Sequence, residues 1–364
     1  MAKKKGDRTG FSTGACATAA AKGALLALIS RRKVHQVEIL LPVGETVVFQ
    51  ISDCVIDSDY VRCSVIKDAG DDPDVTHGAS IQCAVSFIPE PGMIRLEAGE
   101  GVGTVTQPGL GIEVGAPDIT RVPRKMLTRV IEDGAGPLLK EKGIKVVISV
   151  PGGEALAKKT ELLRLGVVGG VGILGTTGIV RPYSTSAFRA GISLAVGSAK
   201  QRGYPHLVIT TGGMSEKFAR KWIELPEGAF IQMGDFVGFT LQECVKKKIE
   251  RVTISGMIGK LSKMAMGKMM THAAGSEVDT LFLSQIAESS GAPPEVVEQI
   301  KKANTGRHVA EIVQSHGLTS FFDRLSLKVC EAASRHVKGA LSIECLMTDF
   351  EGNVIGRAET AKEK

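Results

Sequence analysis

The sequence predicts a two-part protein of α/β and α+β class. An N-terminal α+β domain with a mainly antiparallel sheet precedes a Rossmann-like α/β domain with a helical C-terminal region. Three observations predict it. One alanine-rich segment and several alternating, β-branched segments fill residues 1–140. From about residue 141, short apolar runs repeatedly end in small-residue loops that open helices. The second part also carries a dense glycine stretch, LGVVGGVGILGTTGIVRPYS, from Leu165 to Ser184.

Size and composition set the bounds. A chain of 364 residues suggests two domains. Aromatic residues make up only 4%, so the cores are aliphatic and stacking platforms for single-stranded nucleic acid are scarce. The net charge of +6 draws much of its excess from Lys3, Lys4, Lys5, Lys362 and Lys364 at the ends, which leaves a mildly basic body. The seven cysteines contain no CxxC pair and read as reduced thiols of a cytoplasmic protein. No apolar run approaches the ~18 residues of a membrane span, and the basic N-terminus lacks a signal-peptide core.

In chain order, Ser12 or Thr13 caps a helix through ATAAAKGALLALI, whose start is also a candidate anion seat. From Val37, VEILLP, ETVVFQI, YVRCSVIKD and SIQCAVSFI read as strands. Between the last two lies an acidic loop, residues 67–78, with four carboxylates and His77. No glutamate closes a calcium loop there, and Asx-turns compete with a ligand-facing role. Residues 91–124 hold a strand and a long glycine- and proline-rich excursion, in which Arg121 and Arg124 are candidate carboxylate forks. A helix over Met126–Lys142 and a strand over Lys145–Val150 flank the expected boundary between domains 1–140 and 141–364.

The glycine stretch reads as strand, ligand loop and then a helix from about Ser184. Its Gly175-Thr176-Thr177-Gly178 turn offers hydroxyls and N–H groups to a polar ligand. A helix follows over Ser186–Gln201. Strands at Leu207–Thr211, Phe230–Met233 and Val252–Ser255 each run into a small-residue loop and a helix, the grammar of a parallel sheet with ligands beyond its carboxyl ends. The GxGxxG fingerprint with its distal acid is missing, yet several such loops at one edge suit a nucleoside-containing ligand. Val278 to about Val337 is helical, and Ala340–Leu346 with Asn353–Ala358 forms a closing hairpin. His272 reads as structural.

FSTGACATAAAK, KDAGDDPDVTHG, GEGVGTVTQPGL, GILGTTGIVRPYS, QMGDFVG, GMIGKLSKMA and THA stand in this order between Thr9 and about His272. Together they resemble the cobalt-precorrin-5B (carbon-1)-methyltransferases of anaerobic cobalamin biosynthesis. The chain departs from the family at Leu162-Leu163, where Asn-Pro is usual. The resemblance implies methyl transfer from S-adenosylmethionine to carbon 1 of a cobalt tetrapyrrole, giving cobalt-precorrin-6A. The cobalt arrives with the substrate, so no protein metal site is expected.

Under that resemblance, Gly172, Gly175, Thr176, Thr177, Gly178, Gly212 and Gly213 are candidates to hold the methyl donor, with Asp235 on its ribose. Thr13, Gly14, Lys67, Asp71, Arg124, Arg181 and Lys260 are candidates for the carboxylated tetrapyrrole. His77, Asp72 and Asp74 are candidate proton carriers. The expected partner is the small-molecule tetrapyrrole, with neither nucleic acid nor membrane, and homo-oligomer formation stays open. Two competing functions are an NAD(P)- or nucleotide-binding α/β enzyme of another reaction class and a basic nucleic-acid-binding protein. The missing fingerprint counts against the first, and the scarce aromatics with end-loaded charge against the second.

Overall fold

The computed structural model describes residues 6–272 and 278–362. Lys3, Lys4, Lys5 and Lys364, with residues 273–275 of the THAAG stretch, lie outside the described residues. The chain divides into two compact units, Met1–Ser184 and Thr185–Lys364.

The first unit contains β1 (Gly10–Phe11), α1 (Thr13–Ser30), β2 (Gln36–Leu40), β3 (Thr46–Gln50), β4 (Asp53–Ile56), β5 (Val61–Ile66), β6 (Ser80–Ile88), β7 (Ile94–Ala98), β8 (Thr104–Val105), α2 (Arg121–Ala135), β9 (Gly143–Ser149), α3 (Gly153–Ala157), β10 (Val167–Val168) and β11 (Ile179–Val180). Its main sheet has the order β4-β5-β6-β9-β7 and is antiparallel except where β7 meets β9. Ile81, Cys83 and Val85 of β6 and Ile144, Val146 and Ile148 of β9 are buried at alternate positions, as expected for strands with one face on a core. The expected boundary at 140/141 is corrected here. The strand just after it, β9, hydrogen-bonds β6 on one side and β7 on the other, so cutting there would split the sheet.

Helix α1 is packed against β5, β6 and α2, and its alanines and glycines let these neighbours close in. Gly23 lies under the Cys63 thiol, and the Cys83 thiol donates to the Ala17 carbonyl (3.2 Å). Contrary to the hydropathy expectation, α1 is long and apolar enough to cross a membrane by length and composition, but it is mostly buried inside this unit.

The glycine stretch is not the continuous strand and open loop that its composition suggests. Only β10, paired with β8, and β11, paired with β1, are regular. The rest is laid against the start of α1. Ser12 caps the helix through the Ala15 N–H (3.2 Å), and its own N–H donates to the Gly178 carbonyl (2.9 Å). Thr13 Oγ1 accepts from Leu174 N–H (2.9 Å) and donates to the Gly172 carbonyl (3.1 Å), while Gly14 N–H donates to the Leu174 carbonyl (3.0 Å).

The second unit contains α4 (Thr185–Gln201), β12 (His206–Thr210), α5 (Gly213–Ala219), β13 (Phe230–Gln232), α6 (Val237–Lys246), β14 (Arg251–Met257), α7 (Ile258–Ala265), α8 (Thr280–Ser289), α9 (Pro294–Lys301), α10 (Gly306–Ser315), α11 (Ser320–His336), β15 (Ser342–Thr348) and β16 (Val354–Thr360). The sheet order is β13-β12-β14-β15-β16, with the first four parallel and β16 antiparallel at the edge. The parallel strands are buried along almost their whole length because both faces are covered. Val208 and Leu346 pack with Ala219 of α5 on one face. On the other, Ile209, Ile254 and Ile343 join the large core built with α4, α6, α7 and α11.

A Cβ at Gly175 would sit 2.3 Å from Ser12 Oγ, and the residue holds φ of +134°, so Gly175→Ala is expected to cost about 2 kcal/mol of stability. A thermal melt checks this, and an unchanged midpoint would show that the turn is not pinned on Ser12.

Candidate functional site

Parallel strands in the order β13-β12-β14-β15 reverse direction of progress between β12 and β14. Helix α5 leaves β12 on one face and α7 leaves β14 on the other, which opens a crevice at the carboxyl edge. A cavity of about 630 Å³ occupies that place. Thr211 and Ser215 after β12, Asp235 after β13, and Met257, Gly259 and Lys260 after β14 contribute to its lining. Thr271, His272, Thr305, Arg307 and Phe350 add further walls. The volume falls in the range of small-molecule and cofactor sites.

Lys260 ties the strand ends together. Its Nζ donates to the Thr211 carbonyl (3.0 Å) and to Asp235 Oδ1 (3.0 Å). Thr271 Oγ1 donates to the same Oδ1 (3.0 Å), and Asp235 Oδ2 has no hydrogen bond among the described residues. Burial opposes ionisation of Asp235, but Lys260 and Thr271 outweigh it and hold the carboxyl below its usual range. Thr211 Oγ1 and Ser215 Oγ form a 2.8 Å pair. Gly212 and Gly213 lead into α5 beside these groups. A Cβ built at Gly212 or Gly259 would meet nothing within 4 Å, and one at Gly213 only the end of Gln232, so these glycines border open space.

The first-unit candidates behave differently. A Cβ at Gly172 would strike Asp118, one at Gly178 would strike Leu41, and one at Gly14 would strike Pro123 of α2. These glycines, with Gly175, serve close packing inside the protein. Thr13 is buried with its hydroxyl spent on residues 172 and 174. Thr176 and Thr177 are exposed, and Thr177 Oγ1 closes a local turn with Ile179. Arg124 is half-buried in the first turn of α2, and Arg181 is exposed just after β11.

The acidic loop turns its charges on its own unit. Lys67 has a fully buried side chain, and its Nζ lies 2.6 Å from Asp74 Oδ2. Asp74 Oδ1 accepts from the Thr76 N–H (2.7 Å) and hydroxyl (2.6 Å). Burial opposes ionisation of Asp74, yet Lys67 and Thr76 prevail and hold its carboxyl below the ordinary range. Arg8 pairs with Asp68 and approaches Asp71 at 3.8 Å. Asp71 Oδ2 accepts the Arg8 N–H (2.9 Å) and Asp72 Oδ1 that of Tyr183 (3.1 Å). His77 Nδ1 accepts from Ala69 N–H (3.0 Å), which leaves the proton of the neutral ring on Nε2. Among the described residues, no cluster of three or more His, Cys, Asp or Glu side chains is placed to hold a metal ion.

The structure also singles out residues the motifs did not. Asp118 is 4% exposed and carries no side-chain hydrogen bond among the described residues, and burial pushes its carboxyl up to about 6. His272, read from sequence as structural, lines the second-unit cavity. Thr305 and Arg307 reach it from the start of α10, where the Thr305-Gly306 pair was a capping signal available in the sequence.

The family model CbiD matches residues 1–182, and the model CbiD, C-terminal domain, matches residues 270–359. The cobalt-precorrin-5B C(1)-methyltransferase of Geobacillus sp. (strain WCH70) is 48% identical over 98% of each chain. The protein of the same name from Priestia megaterium is 46% identical over 96% of each. That from Leptospira interrogans serogroup Icterohaemorrhagiae serovar Lai (strain 56601) is 46% identical over 97% of this chain and 96% of its own. Among solved structures, the 1.9 Å crystal structure of cobalamin biosynthesis protein (cbiD) from Archaeoglobus fulgidus is 24% identical over 85% of each chain, with a TM-score of 0.38.

Two titrations test the buried charges of the first unit. Asp74→Asn strands the Lys67 ammonium and is expected to cost about 3 kcal/mol at neutral pH. Since the folded Asp74 value is depressed, that stabilisation is present above the unfolded value near ~3.9 and disappears as pH falls through the folded one. The difference between variant and wild type should therefore shrink in acid. Asp118 is the opposite case, with a folded value of about 6 above the unfolded one. Its ionisation destabilises the fold at pH 7 by up to about 3 kcal/mol, and the penalty is relieved as pH falls from about 6 to about 4. Asp118→Asn should raise the melting midpoint at pH 7 and lose that advantage at pH 4.

Proposed function

We infer the function from kinship: this chain belongs to the CbiD family, and it is an enzyme that methylates carbon 1 of cobalt-precorrin-5B to give cobalt-precorrin-6A in cobalamin biosynthesis. We propose S-adenosylmethionine as the donor and the switch-point cavity of the second unit as its seat. The observation that carries this reading is the cavity itself, about 630 Å³ at the carboxyl ends of β12 and β14. The parallel run of β12 to β15 likewise supports a Rossmann-like description of the unit.

The residues fit a nucleoside. Asp235 presents Oδ2 to a ribose diol while Lys260 and Thr271 hold Oδ1, so the acceptor is ionised and oriented in advance. Gly259 leaves room at the wall, and Gly212 and Gly213 let backbone approach a ligand without a side chain between. When bound, S-adenosylmethionine supplies a methyl group on a sulfonium. Because in-line displacement needs alignment more than an enzyme nucleophile, the chain's contribution is to fix the donor and hold the acceptor carbon in line. Lys260 acts as a staple between the loops after β12, β13 and β14 rather than as a free cation.

For the tetrapyrrole, of the first-unit candidates Lys67, Arg124 and Arg181, the two arginines have side chains that make no contact among the described residues that would occupy them. His77 is the half-exposed proton carrier, whereas Asp72 and Asp74 act by holding Tyr183 and Lys67. All seven cysteines are free and buried, which supports a reducing, cytoplasmic location.

Asp235→Ala should weaken S-adenosylhomocysteine binding about tenfold, or about 1.4 kcal/mol, in calorimetric titration. Unaltered affinity in the folded variant would move the donor site elsewhere, and no binding to wild type in the presence of tetrapyrrole would remove the donor assignment.

A further inference from the structure

Lys263 lies in the second turn of α7 and is only 7% exposed, yet it lines the switch-point cavity. Its Nζ makes one hydrogen bond, 3.3 Å to the Thr271 carbonyl. Among the described residues no carboxylate lies within ion-pair distance of it. A buried ammonium is ordinarily paired and hydrogen-bonded, because its desolvation is otherwise uncompensated. Lys67 of the first unit shows the ordinary arrangement, with Asp74 at 2.6 Å.

The other charges of the cavity are already spoken for. Lys260 is paired with Asp235 (3.0 Å), and Arg307 Nε with Glu311 (3.0 Å), the guanidinium lying over the Phe350 ring at 4.8 Å. Among the described residues, Lys263 is therefore the cation of this cavity left without a counter-charge. Around it the wall is favourable to an anion. Helix α10 starts at the cavity with no acid in its first turn, and Thr305 caps only the His308 N–H (3.1 Å), so the N–H groups of Gly306 and Arg307 carry no partner among the described residues.

We propose that the inner end of this cavity is a carboxylate-recognition site centred on Lys263. One uncompensated cation matches one negative charge, which favours a carboxylate over a phosphate dianion. Two carboxylates of the reaction have that chemistry: the amino-acid end of the methyl donor, and the acid side chains of the tetrapyrrole. The first source rests on the donor assignment above; the second does not.

The test is Lys263→Met in the full chain, with Lys263→Gln as the second variant. Calorimetry with S-adenosylhomocysteine and with 5′-methylthioadenosine, which lacks the amino-acid carboxylate, is combined with the KM for cobalt-precorrin-5B. A loss of tenfold or more for S-adenosylhomocysteine, with 5′-methylthioadenosine unchanged, establishes the site on the donor's carboxylate. Unchanged nucleoside affinities with a KM raised tenfold or more and kcat within twofold establish it on the tetrapyrrole. Removing an uncompensated buried charge should also leave the ligand-free melting midpoint equal or raised. All three ligand parameters within twofold of wild type would overturn the proposal, whether the midpoint is unchanged or lowered, and a lowered one would make Lys263 structural. If wild-type protein binds neither nucleoside, the donor assignment fails by itself, and the KM comparison still decides the carboxylate site.

Discussion

What the second unit offers a ligand depends on one topological constraint. Adjacent parallel strands β12 and β14 send their following helices to opposite faces of the sheet. At the carboxyl edge between them, the ends of three strands deliver Thr211, Asp235 and Lys260 to one place. The Lys260 ammonium uses that proximity twice, on a backbone carbonyl and on a carboxylate, so the loops around the opening are cross-linked before any ligand enters. Positioning of this kind suits methyl transfer, where alignment rather than acid–base strength dominates the barrier.

Glycine has two opposite uses in the chain. In the stretch around Gly172, Gly175 and Gly178 each missing Cβ is replaced by a protein atom, from Asp118, Ser12 or Leu41, and the backbone is pulled onto the first turn of α1. At Gly212 and Gly259 the missing Cβ faces empty space. The same residue type therefore marks dense packing at the first place and open space at the second. Composition reports both in the same way, since it registers only the absent side chain.

Buried charge separates the units as well. In the first, Lys67 and Asp74 compensate one another and the acidic loop is tied to Arg8 and to backbone N–H groups. Asp118 alone is left without a partner among the described residues, and it meets burial by becoming easier to protonate. A carboxylic acid has that escape near neutral pH; for a buried ammonium such as Lys263 the compensation is an anion beside it.

By itself the sequence indicated many of the elements and the family. Alternation over Val61–Ile66 and Ser80–Ile88, the alanine helix after Ser12, the strand-loop-helix units from Leu207 to Lys260 and the closing hairpin are local patterns, and each is present in the structure. Seven ordered motifs were enough to indicate the family. Asp235 and Lys260 follow strand ends in small-residue loops, a local pattern, and both line the cavity. Only the tertiary structure decided which unit owns β9, since strand pairing is non-local and a central strand reads like an edge one. It alone showed that Thr13, Gly172, Gly175 and Gly178 are packed inward, and that Thr305, Arg307 and His272 join a cavity begun some sixty to ninety-five residues earlier in the chain. Periodicity records how a side chain sits relative to its own element; which distant group occupies the space beside it is settled by packing.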